Sequence, residues 1–88
     1  MTNYEYAGEM QELCFKISQA CKVLEKKGLQ DFYAAAGDGF AEVQKKYSVE
    51  EAEMAISQDQ EEQLESTVAY KKELEKQAAE KLDKEISI

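Results

Sequence analysis

GLQDFYAAAGDGFAEVQKKYS, residues 28–48, contains three of the chain's four glycines and four of its eight aromatic residues. At about 100° per residue, Leu29, Phe32, Tyr33, Ala36, Gly39, Phe40, Val43 and Tyr47 fall within about 120° of one helical wheel. The apolar phase continues through Gly37-Asp38-Gly39, where a loop would reset it, so the stretch reads as one continuous helix over about residues 30–46. A glycine inside a helix costs about 1 kcal/mol relative to alanine. Gly39 lies on the apolar face and is therefore expected to admit a neighbouring helix at close range, with Phe32 and Phe40 packing beside it. Gly37 falls toward the edge of the same face.

Toward the N terminus, about residues 4–27 read as a first helix, with Asn3 as N-cap and Gly28 as the left-handed residue that closes it. Tyr6, Met10, Leu13, Cys14, Ile17, Ala20, Cys21 and Leu24 form a stripe of bundle width. Phe15 and Val23 lie off this stripe, which points to a second packing surface covering another helix or another subunit.

Toward the C terminus, Ser48 and Glu51 form a capping box, and a third helix over about 49–56 is expected to bury Val49, Ala52 and Ile56. The seven residues SQDQEEQ from Ser57 contain nothing apolar, and Ser57 with Gln60 makes a second, weaker box. A break near Ser57 then starts a last helix over about 59–85, with Leu64, Val68, Leu74, Ala78, Leu82 and Ile86 on its buried side and Lys71 interrupting them. Residues 1–88 thus read as a single all-α domain, a small three- to four-helix bundle whose long C-terminal helix overhangs the first two. A chain of this size buries little surface, so a homodimer built from the first helix and the C-terminal arm is expected.

Composition narrows the chemistry. The chain has no histidine, arginine, tryptophan or proline, and all eleven cations are lysines. It lacks the commonest general base and metal ligand and the planar fork that grips phosphate, so it is expected not to be an enzyme. Carboxylate metal centres of di-iron bundles need Glu-x-x-His, and Asp38 lacks the ligand spacing of a calcium loop. No catalytic residue, cofactor or metal ligand is assigned. Cys14 and Cys21, about 10.5 Å apart on one helix, cannot pair within it and are expected to be buried free thiols. With no apolar run long enough for a membrane span, the chain is expected to be soluble and cytoplasmic.

Charge is uneven. Residues 49–70 hold seven acids and no lysine, which accounts for −7 of the net charge of −8. Glu50, Glu51, Glu53, Asp59, Glu61, Glu62 and Glu65 are thus candidate partner-binding residues, together with Phe15 and Val23, and direct binding to nucleic acid is disfavoured. The favoured function is a non-catalytic helical protein-interaction module, a small adaptor or regulatory subunit whose protein partner is unknown. The alternatives are an acidic inhibitor or antitoxin-like partner of a basic, nucleic-acid-binding protein and, less favoured, a carboxylate metal protein or enzyme.

Overall fold

Thr2 starts the first helix. Its hydroxyl accepts from the backbone N–H of Glu5 at 3.2 Å while the Glu5 carboxylate accepts from the Thr2 backbone N–H at 3.1 Å, a complete capping box. The N-cap is therefore Thr2 and not Asn3, whose side chain instead donates to the Glu51 carbonyl at 2.9 Å. In the computed structural model, which describes residues 1–86, four helices follow: α1 (Asn3–Val23), α2 (Lys27–Lys46), α3 (Val49–Glu53) and α4 (Gln58–Ile86). Among the described residues there is no strand, and the expected all-α architecture with a long last helix stands.

α1 stops four residues earlier than expected. Leu24 is the C-cap, and Glu25 takes the left-handed conformation at φ 59°. The Glu25 N–H donates to Lys22 and the Lys26 N–H to Cys21, so the last carbonyls are satisfied in a Schellman turn closed without glycine. Gly28 sits inside the first turn of α2 with helical φ. Lys81 of α4 reinforces this end, donating to the Val23 carbonyl at 2.6 Å and approaching Glu25 at 3.4 Å.

α2 returns antiparallel to α1, since Phe15 meets Gly37 and Gln44 donates to the Tyr4 carbonyl. α4 runs parallel to α1, with Tyr6 donating to Gln63 at one end and Lys81 reaching Val23 at the other. α1 is therefore the middle element, covered by α2 on one flank and by α4 on the other. Two apolar clusters fill the seams. Tyr6, Met10 and Leu13 pack with Phe40, Ile56, Leu64 and Val68, and Ile17, Ala20, Cys21, Leu74 and Ala78 pack with Val23, Leu24, Tyr33 and Tyr70.

The connection into α4 is clamped rather than loose. α3 ends at Glu53, three residues short of its expected end, because Met54–Ile56 straighten and pair with the N terminus. The Asn3 N–H donates to the Met54 carbonyl at 2.8 Å and the Ile56 N–H to the Met1 carbonyl at 3.1 Å. This extended stretch turns Ile56 onto the cluster of Tyr6, Met10 and Leu13, whereas Val49 points into solvent. Ser57 then caps α4 as expected, accepting from Gln60 at 3.2 Å, while the Gln60 side chain accepts from the Ser57 N–H at 2.9 Å. Leu82 and Ile86, expected on the buried side of α4, are exposed, because α1 ends opposite Lys81 and covers neither fully.

The close helix approach occurs at Gly37, not at Gly39. A Cβ on Gly37 would stand 2.5 Å from the Phe15 ring, whereas one on Gly39 would meet nothing within 4 Å. Gly39 faces water because α1 lies on the Gln30, Gly37 and Gln44 side of α2. Gly39→Ala should therefore raise stability by about 0.5–1 kcal/mol, and Gly37→Leu should lower it by about 1–3 kcal/mol. Urea unfolding of the two variants checks this, and equal effects would contradict the placement of Phe15.

Candidate interaction surface

The apolar residues of α2 divide into two adjacent seams. Tyr33, Gly37, Phe40 and Tyr47 turn inward, with Tyr33 against Tyr70 at a ring separation of 5.8 Å and Phe40 edge-on to Tyr6 at 6.1 Å. About 60–100° around the helix lie Leu29, Phe32, Ala36, Gly39 and Val43, spaced three and four residues apart, the heptad spacing of a seam that receives another helix. Among the described residues, no helix covers Leu29, Phe32 or Val43. Phe32 is 63% exposed, Val43 45% and Leu29 38%, so a contiguous apolar stripe faces solvent on the long second helix. Phe32 meets the ring of its neighbour Tyr33 edge to face at 5.2 Å.

The expected partner-binding residues separate into two sets. Phe15 and Val23 are half-buried: Phe15 closes over Gly37, and Val23 packs on the cluster around Ile17 and Leu74 while its outer side borders the gap between α1 and α4. The remaining side of α1 carries Glu5, Glu9, Glu12, Lys16, Gln19 and Lys22, with Tyr4 exposed beside them. Of the expected helix-packing residues, Phe40 packs, whereas Phe32 and Gly39 do not. The seven acids do gather. Glu50, Glu51 and Glu53 lie on α3, and Asp59, Glu61, Glu62 and Glu65 on the first two turns of α4, all exposed at the end where α1 begins.

Helix directions extend that acidic cluster into a polarity of the whole molecule. Across the middle of the bundle, the end formed by residues 1–12 and 38–68 holds twelve acids and two lysines, a formal charge of −10. The opposite end, residues 13–37 and 69–86, holds seven acids and nine lysines, a charge of +2. Lys22, Lys26 and Lys27 mark that second end at the turn between α1 and α2. Lys26 and Lys27 stand at the positive terminus of α2, where no acid occupies the first turn and helix electrostatics disfavours cations.

Elsewhere the surface offers little chemistry. Between α1 and α4, on the side away from α2, Ala20, Val23, Ala78 and Leu82 wall an open groove of about 280 Å³ with Lys16 and Glu75 at its rim. Among the described residues, no group of three or more His, Cys, Asp or Glu is placed to hold a metal ion. The two thiols are free and buried as expected. No described helix is long and apolar enough to cross a membrane. No protein-family model, no curated protein and no solved structure matches the chain.

The outer seam was visible in the sequence as part of a face too broad for one neighbour. Eight apolar residues over about 120° can serve two helices, and the 3-4-3-4 spacing from Leu29 to Val43 was the signal.

Behind the seam lie the groups that titrate at high pH. Burial pushes the Cys14 and Cys21 thiols and the Tyr6 and Tyr33 phenols above their ordinary values, with Tyr70 adding to the effect at Tyr33. The folded chain therefore holds these protons more tightly than the unfolded chain, and the stability this gives is lost as pH rises. Thermal midpoints should fall progressively above about pH 9, and a midpoint that rises between about pH 9 and pH 10.5 would contradict the burial of these groups.

Proposed function

We propose that this chain is a non-catalytic helical interaction module, a small adaptor or regulatory subunit that docks through the outward seam of α2. The observation that carries this reading is the exposure of Phe32, Val43 and Leu29 on one heptad-spaced stripe. Left in water, such a stripe forgoes about 25 cal/mol for each Å² of apolar surface that a partner helix would cover. Large aromatic side chains at the centre of such faces carry a disproportionate share of binding energy, which makes Phe32 the anchor. The two buried free thiols suit a reducing compartment, and we place the module in the cytoplasm.

A second reading rests on the acidic end, where Glu50, Glu51, Glu53, Asp59, Glu61, Glu62 and Glu65 stand exposed on α3 and α4. It makes the chain an acidic partner of a basic protein, steered to its target by charge. The two readings separate by what disrupts capture. With the tagged full chain as bait in extracts of the native cell, Phe32→Glu should reduce recovery of the bound protein, identified by mass spectrometry, by about tenfold or more. Under the second reading, Glu50→Lys/Glu53→Lys or added salt would abolish capture while Phe32→Glu leaves it intact.

A further inference from the structure

We infer that the outward seam of α2 receives a second copy of the same helix, running antiparallel. This deepens the interaction-module reading by naming the occupant of the seam, and it rests on that reading.

Register comes from the 3-4-3-4 spacing. An antiparallel copy that sets Ala36 opposite Gly39 of the second copy brings Phe32 against its Val43, and the twofold axis repeats both contacts. The small pair at the centre lets the two backbones approach, and the exposed aromatic ring is covered by an exposed aliphatic side chain on either side of it. Leu29 then lies along the aliphatic stem of Lys46 of the second copy. A parallel copy would stack Phe32 on Phe32 and leave Gly39 facing Gly39 with nothing between them.

Charge selects the same direction. Antiparallel pairing lays the +2 end of one copy beside the −10 end of the other, bringing the exposed Lys22, Lys26 and Lys27 toward the end that carries Glu50, Glu51 and Glu53. Parallel pairing sets two −10 ends side by side, where like charges repel. Lys27, which within one copy meets only the exposed Asp31 carboxylate at 3.8 Å among the described ion pairs, thus gains acidic neighbours between copies, as does Lys26.

The test uses the full chain. Sedimentation equilibrium should give a dimer mass, Phe32→Glu should return it to monomer, and Leu82→Glu, on the overhanging arm, should leave the dimer intact. Direction is read by oxidation. Phe32→Cys/Val43→Cys should form a covalent dimer, whereas Phe32→Cys alone should not, because its two copies would lie about 16 Å apart along the axis, beyond disulfide reach. The native thiols are buried and stay out of the reaction. Covalent dimers from Phe32→Cys alone, or dissociation by Leu82→Glu but not by Phe32→Glu, would overturn the inference. So would a monomer at concentrations on the order of 100 μM, and if Phe32 were then still needed to capture a different protein, the module reading would survive. If neither self-association nor capture depends on Phe32, both fail.

Discussion

Ile17 and Cys21 are fully shielded from water because α1 receives side chains from α2 on one flank and from α4 on the other. No other element is covered in this way. α1 holds nine buried residues, α2 only Gly37, and α4 only Leu74 and Ala78. The direction and reach of the other helices follow from how they meet this one. α2 returns along it until Gln44 meets Tyr4, α3 docks on its first turn, and α4 runs beside it until the Lys81 ammonium reaches the carbonyl of Val23.

A central helix flanked by two others leaves the flanking helices half used. The molecule measures 55 × 21 × 17 Å, too thin for a third layer to cover the outer side of α2. The close approach at Gly37 sets the rotation of α2 about its axis. Phe15 occupies the space where a side chain would be, which brings Tyr33 and Phe40 into the core and carries Phe32, Gly39 and Val43 out of it. The exposed seam is thus a consequence of core packing, and its availability to a partner is the physical basis of the functional reading.

The elements most legible in the sequence were those set by local chemistry. Ser48 and Ser57 cap the helices they are expected to cap, each accepting from the N–H three residues on, because these bonds close within four residues; the reciprocal backbone bond forms at Ser57–Gln60, whereas Glu51 accepts from the Ser48 hydroxyl instead. Thr2 with Glu5 has the same spacing, so the N-cap at Thr2 rather than Asn3 is equally a local signal. The end of α1 carries no such local signal, since Glu25 adopts a left-handed conformation more often taken by glycine, while the nearest glycine, Gly28, lies three residues further on inside α2. Gly39 illustrates the limit for the site. A helical wheel orders residues around an axis but does not say where the neighbouring axis lies, so Gly37 at the edge and Gly39 on the face exchanged roles. The acidic segment was plain in the sequence, but its extension to a two-ended molecule needed the parallel course of α1 and α4.

Hydrogen exchange of the native chain tests the central place of α1 most directly, because exchange reports the free energy of opening helix by helix. At low micromolar concentration, the amides from Tyr6 to Cys21 should exchange only through global unfolding, while those of α2 and of α4 beyond Lys81 open at lower cost. Equal or greater protection of α2 relative to α1 under those conditions would contradict the account.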